Sequence, residues 1–160
     1  MSLQEHASLI HISLDVVGGR ERAQVLLVKT KQYGRIVGIS SVYKRYLTSA
    51  RNDINAKMEF VMRFVSTQSV DQTLQLVLSF CENDCQLVLL AFDSTVIMSP
   101  RLTLPYPLLH TDGLIIRCAA EAWAEYAHPV YQKTLSEISK AAPPVVEAEF
   151  YLQGKSLVDF

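Results

Sequence analysis

The chain has 160 residues, 49% of them hydrophobic and 19% charged, which is long and apolar enough for one continuous core. Its 15 basic and 16 acidic residues give a formal net charge of −1, so it lacks the basic excess that wholesale nucleic-acid binding requires. Three unevenly spaced cysteines are too few for a disulfide framework. The apolar runs are too short to cross a bilayer, and the N-terminus lacks the order of a signal peptide. We therefore expect a cytoplasmic protein with neither a nucleic-acid nor a membrane partner.

The first part of the sequence predicts a β-α-β unit. A short β-branched run over 9–14 predicts a strand, and Gly18-Gly19 is typical of the turn that follows it. Apolar residues at helical spacing predict an amphipathic helix over 20–33, which Gly34 ends. The run 35–44, rich in isoleucine, valine, serine and tyrosine, favours a second strand.

A second β-α-β unit follows a polar connection over 46–54. Strict alternation over 56–65 predicts a strand with one face on a core and a mixed face outward. Ser69 and Gln72 resemble a capping box, which predicts that a helix begins there. The almost wholly apolar run 86–92 predicts a strand in the middle of a covered sheet.

The C-terminal part adds elements to these two units. They are a hairpin partner for the preceding strand over 95–98, helices over 113–126 and 132–140, and a strand over 147–152. The whole order predicts an α+β fold, a ferredoxin-like βαββαβ sandwich with an added hairpin strand and C-terminal helices. In this prediction the helices lie on one face of an antiparallel sheet. We assign a single domain to 1–160, with a core over about 9–140 and a tail over 141–160.

The residues that carry chemistry form no recognised catalytic motif. None of the four histidines (His6, His11, His110 and His128) lies at a metal-binding spacing from another ligand. His11 is inside a predicted strand, where a core imidazole is favoured over a catalytic one. His110 and Asp112 share a loop and are best placed for a ligand contact, although a solvated surface pair is the favoured interpretation. Cys81 and Cys85 lack the second ligand pair of a zinc site.

Three stretches of the sequence carry a family resemblance. They are Ile39-Ser-Ser-Val-Tyr-Lys44, Ile54-Asn-Ala56 and Arg101-Leu-Thr-Leu-Pro105, and the helix at Gly113 follows them. In this order they resemble the 6-hydroxymethyl-7,8-dihydropterin pyrophosphokinases (HPPK) of folate biosynthesis. Members of that family transfer a pyrophosphoryl group from ATP to a pterin alcohol. The resemblance covers about residues 9–140.

The sequence departs from the family where the chemistry takes place. The resemblance aligns the family's Asp-Xaa-Asp metal site with Gln86 and Val88, which carry no charge. The family's long basic loop corresponds here to the short, acidic segment from Cys81 to Cys85. No catalytic residue and no metal ligand are therefore assigned. The ligand-binding positions that the resemblance implies are Tyr43, Lys44, Asn55, Arg101, Tyr106 and Leu114.

Three hypotheses about function follow from the sequence, and they leave open whether the chain is an enzyme. The first is an HPPK-like protein with catalysis weak or lost, which binds a pterin-like small molecule or has a regulatory role. No cofactor is expected in that case, and magnesium and ATP are expected only if the family activity survives. The second is an active ATP-dependent transferase whose metal site is rebuilt from Asp84, Asp93 or Asp112, with Lys44, Arg45 or Arg101 as the phosphate clamp. The third is a non-enzymatic module that forms a homo-oligomer through an exposed edge strand together with the mixed outer face at Val61 and Val65.

Overall fold

The computed structural model describes residues 3–158, in which the main element is a six-stranded antiparallel sheet. The strands are His6–Asp15 (β1), Arg35–Ile39 (β2), Val42–Tyr46 (β3), Ala56–Ser66 (β4), Cys85–Phe92 (β5), Ile97–Met98 (β6), Thr103–Leu104 (β7) and Ala148–Leu152 (β8). The long strand β4 is central, since it pairs with β1 on one side and with both β2 and β3 on the other. The order across the sheet is β5-β1-β4-β3-β8.

Helices connect these strands and follow them. Their bounds are Gly19–Thr30 (α1), Val70–Ser79 (α2), Leu108–Thr111 (α3), Gly113–Ala122 (α4), Leu135–Ala141 (α5) and Lys155–Val158 (α6). The predicted capping box is present at the start of α2. The Ser69 hydroxyl accepts a hydrogen bond from the Gln72 amide at 3.2 Å, and the Gln72 side chain accepts one from the Ser69 amide at 2.9 Å. The α+β class predicted from the sequence is confirmed.

Helices cover both faces of the sheet, which corrects the prediction that they lie on one face. Alternate residues of the strands enter two separate cores because successive side chains point to opposite faces. Phe60 and its alternating neighbours on β4 pack with α1 and α2, as expected. Val61, predicted to face outward, is completely buried beneath Ile115, Cys118 and Ala119 of α4.

The apolar strand β5 lies at the edge of the sheet, so its predicted central position is wrong. It pairs only with β1 in the sheet order. Its apolar character has another cause, because α2 packs against one side and the segment after β7 runs along its outer edge. There the Tyr106 amide donates to the Leu90 carbonyl at 2.8 Å. The predicted hairpin partner of β5 is also wrong, since β6 pairs with β7 instead.

The strand predicted over 35–44 is divided into β2 and β3 at Ser40 and Ser41. The Ser40 amide donates to the Val61 carbonyl at 2.9 Å, and the Ser40 hydroxyl accepts from the Val61 amide at the same distance. A side chain thus replaces one backbone partner of β4, and the ladder is interrupted without leaving that amide unpaired. Within residues 3–158, no helix has the length and apolar character needed to cross a membrane.

Candidate functional site

Five ionisable side chains from distant parts of the chain meet on the sheet face that α4 partly covers. We call them the sheet-face network: His11 on β1, Arg45 on β3, Glu59 on β4, Asp112 at the N-cap of α4, and Glu147 just before β8. The ladder between β1 and β4 places Ser13 opposite Glu59 and His11 opposite Val61. His11 and Glu59 therefore project from neighbouring strands on the same face.

Arg45 joins the carboxylates of the sheet-face network. Its Nε and Nη2 donate to the two oxygens of Glu59 at 2.6 and 3.2 Å. Nη2 also donates to Asp112 Oδ1 at 2.8 Å, and Nη1 donates to Glu147 Oε1 at 3.3 Å. Each nitrogen of the guanidinium group thus has a carboxylate partner, which is the arrangement that makes Arg–carboxylate pairs strong.

Burial and charge act in opposite directions on these groups. The Glu59 side chain is only 6% exposed, and this burial favours its neutral form, but the hydrogen bonds and charges of His11 and Arg45 outweigh it, and its pKa is lowered. Burial likewise favours neutral Asp112, yet Arg45 and the Ile115 amide keep its pKa low. Burial by itself would lower the pKa of Arg45, but the hydrogen bonds and charges of Asp112 and Glu59 outweigh this effect, and the pKa is raised. Both acids are therefore ionised at neutral pH.

The ionised Glu59 determines which ring nitrogen of His11 donates a hydrogen bond. Nε2 of His11 lies 2.8 Å from Glu59 Oε1, and an ionised carboxylate can only accept a hydrogen bond, so Nε2 is the donor. The imidazole is held in one orientation, and its Nδ1 is left for another partner. The site can therefore offer one positioned imidazole nitrogen, whereas the positive charge of Arg45 is already neutralised by carboxylates.

The positions aligned with the family's metal site lie beside this network. Gln86 and Val88 on β5 are opposite Ser13 and His11 of β1, so they share the face of the sheet-face network. Gln86 is exposed and its amide nitrogen donates to the Glu82 carbonyl at 2.6 Å. A magnesium ion is usually held by one or two carboxylates, and these two side chains provide one amide oxygen between them. They do not fit that ion, and no three His, Cys, Asp or Glu side chains of residues 3–158 are grouped to hold a metal.

The ligand-binding positions implied by the resemblance fall into separate places. Tyr43 and Leu114 share the core beneath α4, where the Tyr43 hydroxyl donates to Glu121 at 2.6 Å. Lys44 extends from the opposite face of β3, where its Nζ lies 2.9 Å from Asp53 and 4.5 Å from the centre of the Tyr151 ring.

The remaining three positions lie elsewhere. Asn55 ends a 3-10 turn at Asp53–Asn55, immediately before β4. Tyr106 and Arg101 line a small cavity of about 140 Å³ along β5, and Arg101 is paired with Asp71 at 2.7 Å. The structure thus groups four of the six positions in two pairs and does not assemble the set in one pocket.

The three aspartates of the rebuilt-site hypothesis are also far apart. Asp84 is held by Arg22 before β5, and Asp93 accepts from the Ala7 amide at 2.9 Å and lies 2.6 Å from His6 Nδ1 after β5. Asp112 belongs to the sheet-face network instead. Each carboxylate is bound to a different basic group, and the three do not converge on a shared ion.

Comparisons with known proteins identify a fold. No protein-family model matches the sequence, and no curated protein matches it. A crystal structure of wild-type HPPK-DHPS from Plasmodium falciparum with pterin and p-hydroxybenzoate matches with a TM-score of 0.66, at 10% identity over 88% of this chain and 42% of that one. The crystal structure of the wild-type protein with pteroate matches with a TM-score of 0.61, at 11% identity over 88% of this chain and 43% of that one. The crystal structure of an S436F/A437G/A613S triple mutant of the same protein with SDX-DHP matches with a TM-score of 0.64, at 9% identity over 87% of this chain and 42% of that one.

The chain therefore spans less than half the length of these structures. The similarity is to their HPPK domain, and at such low identity it concerns the fold alone. The protein has an HPPK-like α+β fold.

Proposed function

We propose that this chain is an HPPK-like ligand-binding protein in which pyrophosphoryl transfer is weak or lost. The observation that carries the proposal is the state of Arg45, whose guanidinium group is fully engaged by Glu59, Asp112 and Glu147 on the face next to the aligned metal positions. Phosphoryl transfer depends on cations that are available to the phosphate oxygens in the transition state. A guanidinium group whose charge is already neutralised by carboxylates stabilises those phosphate oxygens poorly.

Other cations at the end of the sheet where β5 begins are engaged in the same way. Lys57 is paired with Asp15 across β1 and β4, and Arg22 is paired with Asp84 and with Glu82. These pairs occupy the end of the sheet where β5 begins, close to Gln86. Their effect is to leave this end without a surplus of positive charge for a triphosphate, which supports a ligand without phosphates.

A pterin-like ring is the ligand class that we infer. Such a ring presents hydrogen-bond donors and acceptors along one edge, which neutral amide and imidazole groups can recognise. Gln86 supplies an exposed amide, and His11 supplies a positioned imidazole on the neighbouring strand. These groups select for hydrogen-bonding pattern rather than for charge.

Calorimetric titration with 6-hydroxymethyl-7,8-dihydropterin and separately with magnesium-ATP, combined with an assay for AMP release, tests this proposal. We expect saturable pterin binding and no AMP above the enzyme-free control. Gln86→Ala should weaken pterin binding about fivefold because one hydrogen bond is lost. Gln75→Ala, an exposed change on α2, is the matched control and should have no effect.

Turnover of ATP with the pterin would overturn the proposal and favour the rebuilt transferase. In that case Asp84→Ala or Asp93→Ala should abolish the activity. Absence of pterin binding would contradict the ligand class. The homo-oligomer and the cytoplasmic location stay predictions from the sequence, and analytical ultracentrifugation at two concentrations tests the first of them.

A further inference from the structure

A half-buried arginine lies at the opposite end of α4 from the sheet-face network. Arg63 projects from β4 on the face that α4 covers, two residues beyond Val61, which is buried beneath the helix. Asp112 caps the start of α4, and Trp123 ends it. The guanidinium carbon of Arg63 lies 3.9 Å from the centre of the Trp123 ring. The indole therefore covers one flat side of this cation.

The guanidinium group of Arg63 has no acidic partner in the part of the chain that the structure describes. Among residues 3–158, no carboxylate lies within ion-pair distance of it, and none of its nitrogens donates a hydrogen bond. Its Nε is shielded from water without a partner, whereas Nη1 and Nη2 remain accessible to solvent. The other arginines are paired with carboxylates, apart from the fully exposed Arg20. Arg63 is therefore the partly buried arginine whose charge the fold leaves uncompensated.

The acidic groups of this region are bound elsewhere or lie out of reach. Arg35 is opposite Val65, the next residue of β4 on this face, and its Nη2 donates to both oxygens of Glu5 at 3.2 and 3.0 Å. Glu125, in the turn after α4, is exposed and lies beyond ion-pair distance of Arg63. The last carbonyls of α4 together carry about half a negative charge, and none of them accepts a hydrogen bond from the guanidinium group. Arg63 therefore retains a surplus of positive charge.

A stacked guanidinium group can be reached by a ligand only at its edge. Trp123 covers one flat side, and the Nε of Arg63 is buried, so the two terminal N–H groups are what a ligand meets. They form a flat fork that matches the two oxygens of a carboxylate. A phosphate group carries about two negative charges at neutral pH, and the neighbouring cation Arg35 is already paired with Glu5. A flat anion with a single charge is therefore the class that fits this edge.

We propose that Arg63 and Trp123 form a binding site for a small carboxylate. The carboxylate lies in the plane of the guanidinium group and accepts hydrogen bonds from Nη1 and Nη2, while the indole holds that plane in one orientation. Binding gives a partly buried cation the counter-charge that the fold does not supply. The side chain is fixed by stacking before the ligand arrives, which lowers the cost of binding. This site is separate from the pterin-like site proposed above.

The test is an NMR titration of the whole ¹⁵N-labelled chain with sodium acetate at constant ionic strength. The chain has one tryptophan, so its indole N–H signal reports on Trp123 without ambiguity. We expect a saturable shift of this signal with a dissociation constant of about 10 mM. Acetamide, which has the same shape without the charge, should bind at least about fivefold more weakly. Absence of a saturable acetate shift overturns the proposal, and saturation by inorganic phosphate alone overturns the assignment of a carboxylate.

Variants locate the acetate at Arg63. Arg63→Met should abolish the saturable shift of the indole signal, whereas Arg20→Met, which removes an exposed and unpaired arginine of α1, should leave it unchanged. Arg63→Lys keeps the charge but loses the flat fork, so it should weaken binding at least about fivefold, and it serves as the test if the methionine variant does not fold. Acetate affinity equal to that of the wild type in either Arg63 variant would overturn the assignment. The sheet-face network lies at the other end of α4, so the pterin titration does not depend on these results and the two proposals can fail independently.

Discussion

Arg45 on β3 and Glu59 on β4 are diagonal neighbours in the ladder and form a two-pronged ion pair, with nitrogen–oxygen distances of 2.6 and 3.2 Å. The pair is mostly shielded from water, since their side chains are 19% and 6% exposed. A charge in this position is stable only while its partner is present, because an uncompensated buried charge is costly. The pair therefore ties the candidate site to the stability of the fold.

Arg45→Met should lower the free energy of unfolding by about 3–5 kcal/mol, because it leaves Glu59 and Asp112 buried without their cation. Urea denaturation at neutral pH measures this loss. The matched control is Arg51→Met, which removes an exposed arginine and should cost less than about 1 kcal/mol. Similar losses for the two variants would contradict the role assigned to Arg45.

Stability should fall in acid because of Glu59 and Asp112. Both have a pKa lowered in the folded state, so the unfolded chain binds protons more readily. Their contribution is complete above the unfolded values of about 4 and is lost as the pH falls through the folded values. Urea midpoints measured across this range should decrease with pH in the wild type and decrease less steeply in Glu59→Gln. An unchanged slope in that variant would exclude Glu59 as a source of the acid sensitivity.

His128 should add a second, milder pH dependence. Burial lowers its pKa, and nearby His110 lowers it further, so the folded state favours the neutral ring that accepts from Val130 and Tyr131. This contribution is present above the unfolded value of about 6.5 and is lost as the pH falls through the folded value. Because asparagine keeps an acceptor and does not titrate, His128→Asn should remove the difference in unfolding free energy between about pH 7.5 and pH 5.5. His128→Ala, which loses both hydrogen bonds, should be less stable at both pH values.

The close approach of Gly154 to the break between β2 and β3 should make that glycine difficult to replace. A Cβ atom there would lie 1.9 Å from the Ser40 carbonyl oxygen, and that backbone atom cannot move away cheaply. Gly154→Ala should lower the thermal unfolding midpoint in line with a loss of about 2–3 kcal/mol. Gly113→Ala is the comparison, since its nearest contacts are 3.2 and 3.3 Å and its cost should be smaller. Equal unfolding midpoints for the two variants would show that the backbone at Ser40 can move enough to accommodate the added methyl group.

Local sequence determined the elements whose signals lie within a few residues. The Ser69–Gln72 capping box and the alternation over 56–65 predicted α2 and β4 because a cap or a period of two depends only on near neighbours. The order of these elements also predicted the α+β class. The resemblance to HPPK agreed with the fold that the solved structures share.

Tertiary structure decided how those elements are arranged and which side chains meet. The placement of β5 at the edge and of α4 over Val61 depends on contacts between distant segments, which no local pattern encodes. The sheet-face network has the same origin. Arg45 and Asp112 are 67 positions apart in the chain, and His11 and Glu59 are 48 apart. The sequence immediately around each of these four residues does not indicate a buried ion pair. Only the packing of the strands and of α4 excludes the water that would otherwise separate their charges.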